Sequence, residues 1–396
     1  MADTSNTLKV PFFKASIGQE EEAAVLKVLR SGWLTTGKEC LEFEKEFARK
    51  IQVPYALSVN SNTSGMVLAM EACGVKQGKA VITTPYTFVS TAACAKLLGA
   101  DVYFADIEEN SYSIDPKSVE NILKNDNEKK IVAIVPVHIG GNICNMEALM
   151  SIAKRYNVKV IEDCAHSFPS PTRLGYAGSI GDIGVFSFYV TKTITTGEGG
   201  MVTTKDESLA KRMTSMRMHG MDRTTWDRYT SPKASWEYDI IAPGYKYNLP
   251  DILATLGRVQ LAKADIFDEK RKQHVEKYNN AFKDMDFIKL PPTGEGNSWH
   301  LYLMRLDLSK LTCTRKQFAK EMQNSGIGIS VHFIPIFHFS YWKNLYTNFD
   351  AEHYPHAERQ YNETITIPLW PDMTDDMISY VIETIRSIGT KYHVNR

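Results

Sequence analysis

The feature that most constrains the fold is a regular alternation of short apolar runs with longer helical patterns, which begins near residue 55. Seven runs are predicted to be strands: Tyr55–Val59, Ala80–Thr83, Asp101–Ala105, Ile131–Val137, Val158–Asp163, Ile183–Phe188 and Gly200–Thr204. Helical patterns lie between several of them, at Thr63–Cys73, Val89–Leu98 and Met146–Tyr156. This order predicts an α/β fold with a mostly parallel sheet flanked by helices.

The chain has 396 residues, which exceeds the roughly 250–300 residues that one hydrophobic core usually serves. We therefore expect a large domain at residues 1–260 and a smaller C-terminal α/β domain at residues 261–396, with the N-terminal segment 1–30 packing against the smaller one. The smaller domain is predicted to contain strands at His300–Leu308 and Gly328–Phe333, and helices at Arg315–Asn324 and near Asp375–Ser387.

Charge and cysteine content exclude several classes of protein. Forty-six basic and 46 acidic residues give zero net charge, so nothing indicates a nucleic-acid partner. No stretch approaches the roughly 18 apolar residues of a membrane span, and the first residues lack a signal-peptide pattern. Six scattered cysteines show no metal-ligand spacing, so we expect reduced thiols and no metal in a cytoplasmic protein.

A first candidate site is the polar segment Asn60–Gly65, which lies between a predicted strand and a predicted helix. Free N–H groups and small hydroxyls at a helix N-terminus suit a phosphate. The same residues also make an ordinary helix cap, and from this segment alone the cap is the simpler interpretation.

Two further segments carry titratable side chains at the ends of apolar strands. Asp163 ends Val158–Asp163; it could pair with a pyridinium nitrogen, cap the next helix, or hold a metal with His166. Lys192 follows Ile183–Phe188, just before a glycine-rich turn that permits close backbone approach to a ligand. Such an amine becomes a nucleophile when burial lowers its pKa. The motifs of dinucleotide binding, P-loop hydrolysis, zinc proteolysis and serine hydrolysis are absent from the sequence.

These segments, together with the loop Ala242–Ile252, resemble the nucleotide-sugar aminotransferases of the DegT/StrS type, in the aspartate aminotransferase (fold type I) superfamily. The resemblance extends from Pro11-Phe12 and Gly32–Gly37 to Leu369-Trp370-Pro371. Its most specific part is the Lys-x-x-x-x-Gly-Glu-Gly-Gly core of Phe186–Gly200, preceded by Glu162–His166. It implies a large domain with a mostly parallel seven-stranded sheet and a pyridoxal 5′-phosphate cofactor.

The resemblance also implies roles for single residues. Lys192 would carry the cofactor as a Schiff base and Asp163 would hold its pyridine nitrogen. The phosphate would be bound by Ser187 with Thr63 and Ser64. Three further cofactor contacts would come from Phe88, which stacks on the ring, His166, near the ring hydroxyl, and Asn248, which reaches the phosphate of the neighbouring subunit's cofactor. A homodimer would then share its active sites.

The reaction implied is transfer of an amino group from an amino acid, by family analogy L-glutamate, to a keto nucleotide sugar. The segments Gly244–Leu249 and Trp299–Leu301 are most similar to enzymes that make UDP-4-amino-4-deoxy-L-arabinose, which favours a 4-keto sugar. Amination at C3 remains open, as does a non-transaminating protein of the same fold, a dehydratase or a regulator. Arg223, His332 and His338 are candidates for contacts with the sugar or its diphosphate.

Overall fold

The computed structural model describes residues 8–222 and 237–394. The strands of the larger layer are β1 (Tyr55–Val59), β2 (Ala80–Thr83), β3 (Asp101–Phe104), β4 (Ile131–Ile134), β5 (Lys159–Asp163), β8 (Ile183–Ser187) and β9 (Gly200–Thr204), while β6 (Pro171–Thr172) and β7 (Gly175–Tyr176) form a separate small hairpin. The seven strands of the large sheet are arranged in the order β1-β9-β8-β5-β4-β2-β3. Strands β3, β2, β4, β5 and β8 run parallel, whereas β9 is antiparallel to both β8 and β1.

Helices connect and cover these strands. They are α1 (Gln19–Ser31), α2 (Lys38–Ile51), α3 (Asn62–Ala72), α4 (Ser90–Leu97), α5 (Pro116–Lys124), α6 (Met146–Tyr156), α7 (Glu207–Met216) and α8 (Asp251–Ala262). The strands are apolar along nearly their whole length because helices bury them on both faces, as in β2, where all four residues are buried. The predicted α/β fold with a mostly parallel seven-stranded sheet is confirmed.

A second, smaller layer follows along the chain. It contains a three-stranded antiparallel sheet of β10 (Ile288–Lys289), β11 (Tyr302–Leu306) and β12 (Thr364–Ile367). Its helices are α9 (Ala264–Phe282), α10 (Arg315–Asn324), α11 (Ser340–Leu345), α12 (Pro355–Glu363) and α13 (Asp375–Tyr392). Buried side chains of α9, α10, α13 and this sheet form a hydrophobic core of their own. The division of the chain at residue 260 stays a prediction.

One predicted strand of this layer is wrong. Gly328–Phe333 forms no continuous ladder; instead Ile327 and Ser330 make single bridges, to Val10 on one side and to Thr366 on the other. The strand that pairs with β11 is β12, which the sequence pattern did not indicate. Gly328 permits the N-terminal segment to approach, since a Cβ there would lie 2.4 Å from the backbone nitrogen of Phe12.

The N-terminal segment packs with the smaller layer through Val10, which is fully buried in its core. This contact brings Phe12 and Phe13 to the space between that layer and the large sheet, where they line a cavity. Among the described helices, none combines the length and the apolar character that crossing a membrane requires.

Candidate active site

The carboxyl ends of β1, β5 and β8 meet at one edge of the large sheet. Because β9 runs in the opposite direction between β1 and β8, its first residue, Gly200, lies opposite both Val59 and Ser187 at this edge. A cavity of about 550 Å³ opens here, and residues of the smaller layer close its other side. The location agrees with the general rule that parallel sheets bind ligands beyond the carboxyl ends of their strands.

The segment Asn60–Gly65 is both a helix cap and a wall of the cavity. Ser61 caps α3, its Oγ accepting the N–H of Ser64 at 3.1 Å. The Ser64 hydroxyl is occupied by this cap and donates to Oδ1 of Asn60 at 2.6 Å. Thr63 lines the cavity, together with Ser61 and Asn62, but Ser64 is not among the lining residues. Of the predicted phosphate ligands, Thr63 and Ser187 therefore face the cavity and Ser64 does not.

Gly200 lets the sheet and the start of α3 approach each other closely. A Cβ at this position would lie 2.7 Å from the carbonyl oxygen of Phe186 and within 2.9 Å of the Ser61–Asn62 peptide. These are backbone atoms, which cannot rotate away as a side chain can. The free N–H groups of α3 are thus held against the end of β8, where Ser187 lies, and together they form a cradle suited to an anion.

Asp163 lies at the end of β5 and is only 3% exposed. Its carboxylate accepts hydrogen bonds from Oγ1 of Thr91 (2.8 Å), Nδ2 of Asn62 (3.3 Å) and the N–H of Ala165 (3.2 Å). Burial raises the pKa of this carboxyl group, while these hydrogen bonds and the charge of Lys192 oppose the rise. The donors and Lys192 therefore favour the ionised form of a carboxylate that faces the cavity, against the effect of burial.

Lys192 lines the same cavity from the turn that joins β8 to β9. Burial lowers the pKa of its amine to about 8, and the nearby charge of Asp163 only partly opposes that effect. The turn is held by its own threonines: Thr195 donates to the carbonyl of Phe188 at 2.9 Å and accepts the N–H of Gly197 at 2.8 Å. An amine with a pKa near neutral, on a fixed turn, is a suitable nucleophile and proton carrier.

His166 lies in the cavity wall with its tautomer set by the backbone. Its Nδ1 accepts the N–H of Gly140 at 3.2 Å, so the ring proton is on Nε2. Burial, followed by the charges of Lys192 and His332, lowers the pKa of this imidazole well below its usual range. His166 is therefore neutral and can donate one hydrogen bond into the cavity. Phe168, where the family usually has a small residue, packs away from this wall against Phe47, with ring centroids 5.0 Å apart.

Two further histidines reach the cavity from the smaller layer. His332, a predicted substrate contact, lies 2.9 Å from the hydroxyl of Thr366 through Nδ1, and burial lowers its pKa to about 3. His300 was not predicted; burial also lowers its pKa well below normal, and its ring centroid is 4.6 Å from that of His166. The side of the cavity that the smaller layer forms is thus lined by neutral imidazoles rather than by cations.

The remaining predicted residues are distributed differently. Phe88 lines the cavity, and 59% of it is exposed at the mouth. Asn248 does not line it; its Nδ2 donates to Oγ1 of Thr36 at 2.7 Å. His338 contacts Glu358 at 2.6 Å and is not among the residues that line the cavity, so its role as a contact for the sugar or its diphosphate stays a prediction. Arg223 lies outside the described residues.

Several lining residues were not predicted from the sequence. Phe12 and Phe13 come from the N-terminal segment, and Glu198 comes from the glycine-rich turn. Thr91, which supports Asp163, lies on α4, one turn after Phe88. The Glu198 position could have been predicted from the family's Gly-Glu-Gly-Gly motif. No feature of the neighbouring sequence, in contrast, distinguished Thr91 from a threonine on a helix surface.

A group of buried side chains behind Asp163 contains residue types that bind metals, but the ligand atoms of its carboxylate are already hydrogen-bonded. In the described part of the chain, His138, Glu162 and Cys164 lie within 4.8 Å of one another. The Glu162 carboxylate already accepts the N–H groups of Gly178, Ile180 and Gly181 and contacts His138. The carboxylate is fully engaged, so the cluster fixes strand β5 rather than binding an ion.

A half-buried amine whose pKa is lowered, a buried carboxylate and an anion cradle lie together at one sheet edge, and these are the groups that an enzyme of the pyridoxal 5′-phosphate class uses. A family model, the DegT/DnrJ/EryC1/StrS aminotransferase family, matches residues 15–386. The chain belongs to this family. The predictions of the fold, the enzyme class and the cofactor are thereby confirmed.

Several proteins that the chain resembles carry names that refer to sugars or polysaccharides. The chain is 39% identical over 382 residues, 96% of this chain and 97% of the relative, to the spore coat polysaccharide biosynthesis protein SpsC of Bacillus subtilis. The structure of this chain matches the PMP form of the sugar aminotransferase Spr1654 of Streptococcus pneumoniae (TM-score 0.88, 29% identity, 96% and 99% of the two chains). It matches PseC of Helicobacter pylori, an aminotransferase of pseudoaminic acid biosynthesis, equally well (TM-score 0.88, 27% identity, 97% and 100%).

Proposed function

We propose that the protein transfers an amino group from L-glutamate to the keto carbon of a nucleotide sugar, at C4 of a 4-keto sugar. The observation that carries this proposal is the pairing of Lys192, whose pKa burial lowers to about 8, with the buried Asp163 at one edge of the sheet. An amine and a carboxylate in these states are what amino-group transfer on a pyridine ring requires.

The residues around the cavity fit pyridoxal 5′-phosphate. When bound, the cofactor supplies an electron sink that stabilises the carbanion formed at the donor's α-carbon. Asp163 would accept a hydrogen bond from the protonated pyridine nitrogen, and the three donors around it favour its ionised form. The N–H groups at the start of α3, with Thr63 and Ser187, would bind the phosphate, and His166 would donate from Nε2 to the ring hydroxyl oxygen.

Lys192 has two tasks in this scheme. Its neutral amine would hold the cofactor before the donor binds, and once free it would take the proton from the donor's α-carbon and move it on to the cofactor. A pKa near 8 leaves a useful fraction of the amine unprotonated at neutral pH. In the second half-reaction the same lysine would move a proton in the opposite direction, onto the sugar carbon that receives the amino group.

The acceptor is proposed to be a nucleotide sugar because relatives with this fold act in sugar pathways, including the spore coat polysaccharide protein SpsC and the aminotransferase PseC. Neutral imidazoles of His300 and His332 and the aromatic rings of Phe12 and Phe333 suit an uncharged sugar ring. The predicted resemblance of the segments Gly244–Leu249 and Trp299–Leu301 to the UDP-4-amino-4-deoxy-L-arabinose enzymes is the reason for proposing C4. Amination at C3 is the second candidate, because the same cofactor residues serve either position.

A homodimer with shared active sites is part of the proposal. Asn248 is not among the residues that line its own cavity, and the apolar residues Tyr189, Ile240 and Ile241 are exposed and available for contact with a second copy. Mixing Lys192→Ala and Asn248→Lys chains tests this arrangement. If Asn248 serves the neighbouring cavity, mixed dimers contain one intact site and regain up to about a quarter of the activity of the wild-type sample. An inactive mixture would contradict sharing.

The test of the activity is a pair of half-reactions. Purified protein is incubated with L-glutamate, and the absorbance of its cofactor is followed as the aldehyde form is converted to the amine form. Recovery of the original spectrum with one member of a panel of 4-keto and 3-keto nucleotide sugars identifies the acceptor position. Bound cofactor that responds to no amino donor would instead favour a dehydratase or a regulatory protein, although Lys192 argues against the dehydratases, which carry histidine at that position.

A further inference from the structure

Arg271, on helix α9, is a buried arginine without a carboxylate partner. It is 3% exposed, and no acidic side chain of the described residues lies within ion-pair distance of it. The carboxylate with the largest influence on its charge is Asp268, which pairs with Lys272 at 2.6 Å. Burial lowers the pKa of the guanidinium to about 10, which still leaves it charged at neutral pH. Buried charges are normally paired, so an unpaired one requires an explanation.

The hydrogen bonds of Arg271 account for only part of its donors. Nη1 donates to the carbonyl oxygens of Trp299 at 3.4 Å, His300 at 3.1 Å and Leu369 at 2.9 Å, and the last two residues line the cavity. Nε is buried and has no partner. A purely structural arginine would be expected to use this N–H as well, because an unsatisfied buried donor is costly. The side chain is therefore held in place through one end of its fork and has a free donor at the other.

A small notch lies beside this guanidinium and adjoins the main cavity. Phe13, Thr191 and Lys192 line both spaces. Besides Lys192, the lining of the notch contains two cations, Lys14 and Arg271, and none of its described residues is acidic. Its volume of about 10 Å³ is enough for one water molecule or one oxygen atom. The notch thus combines the positive charges of Lys14 and Arg271 with room for a single oxygen, next to the reactive lysine.

We propose that this notch binds the carboxylate of the amino-acid donor, with one oxygen placed against Arg271 and Lys14 at the rim. The proposal rests on the proposed function, since it assigns the donor's place in the same site. The rest of the donor then extends into the 550 Å³ cavity beside Lys192. A phosphate does not fit the notch because its three terminal oxygens need more room, and the anion cradle at the start of α3 already suits that group.

The variant Arg271→Gln tests the assignment, because it keeps donors for the carbonyl groups of His300 and Leu369 but removes the charge. Glutarate, a dicarboxylate without an amino group, is the binding probe, and calorimetry measures its affinity for the cofactor-loaded protein. We expect Arg271→Gln to weaken glutarate binding and raise the KM for L-glutamate by roughly 10- to 150-fold, the range for loss of a hydrogen bond to a charged group. Unchanged glutarate affinity would overturn the proposal.

The acceptor half-reaction is the internal control. Cofactor-free protein is loaded with pyridoxamine phosphate, so that no donor is needed, and its reaction with the keto sugar is expected to change less than about threefold in Arg271→Gln. An equal loss in both half-reactions would indicate general damage to the cavity and would contradict a donor-specific role. Arg305→Gln is the matched variant: Arg305 is also buried but is paired with Glu363 at 2.7 Å in the smaller sheet. It should not alter glutarate affinity.

A second variant covers the case in which Arg271→Gln does not fold. Lys14 is exposed at the rim, so Lys14→Ala should leave folding intact and weaken glutarate binding several-fold, with a reduced dependence on salt. A glutarate affinity that matches the wild type would again overturn the assignment. Failure of the proposed function itself looks different, because then the wild-type protein reacts with no amino donor at all.

Discussion

Thr91 offers a sharp test of how the site keeps Asp163 ionised. Its hydroxyl donates to the buried carboxylate at 2.8 Å, and this bond opposes the rise in pKa that burial causes. Thr91→Val removes the donor with little change of shape. A hydrogen bond to a charged group contributes roughly 1.5–3 kcal/mol, so the ratio of ionised to protonated Asp163 should fall by roughly 10- to 150-fold. Because the pKa of this carboxyl group then rises further, the loss is greatest on the acidic side.

The measurement is the pH profile of the glutamate half-reaction. Thr91→Val should move the acidic limb of the profile to higher pH, while activity on the alkaline side approaches that of the wild type. Thr83→Val is a matched control, since Thr83 is also fully buried and donates to the carbonyl of Val135 at 2.9 Å, without touching Asp163. If the two variants lose stability equally and neither shifts the acidic limb, the reasoning about Asp163 is refuted.

Three further predictions follow from the site. In the cofactor-free chain, Lys192→Met should raise the free energy of unfolding by roughly 3 kcal/mol below pH 8, because burial lowers the pKa of this lysine to about 8 and disfavours its charged form. Urea titrations should show that this gain in stability decreases as the pH rises towards 10.5. Gly200→Ala should weaken pyridoxal phosphate binding more than it lowers Tm, since the added Cβ would meet the Ser61–Asn62 peptide; unchanged affinity in a dialysis titration would argue against the cradle. His338→Gln should leave the KM for the sugar within about twofold, whereas His332→Ala should raise it severalfold, so a larger effect at His338 would contradict the observed cavity lining.

The positions of Asp163 and Lys192 were predictable because each follows an apolar strand that the sequence pattern makes plain. Parallel strands bring such positions to one edge without any knowledge of the rest of the molecule. The error over Gly328–Phe333 and β12 has an equally local cause. Helix α12 ends at Glu363 and β12 begins at Thr364 with no glycine or proline between them, so no turn signal separates the two elements.

The unpredicted parts of the site depend on contacts between residues distant in the sequence. Which hydroxyl of the first candidate segment faces the cavity depends on the capping geometry of α3, and Ser64 turned out to belong to the cap. Arg271 is 79 residues beyond Lys192, within a polar helical pattern whose charged residues all look like surface groups. Only packing against the backbone of His300 and Leu369 distinguishes it from its neighbours.

The origin of the lining residues has a consequence for how the enzyme can diversify. Asp163 and Lys192 follow adjacent strands of one sheet, so their separation is set by the spacing between β5 and β8. His300 and His332, which line the opposite side of the cavity and are proposed to contact the acceptor, belong instead to the smaller layer. Substitutions in that layer can therefore change which sugar is accepted while the proton-transfer pair keeps its geometry. New acceptor specificities can therefore evolve through the smaller layer while Asp163 and Lys192 remain unchanged.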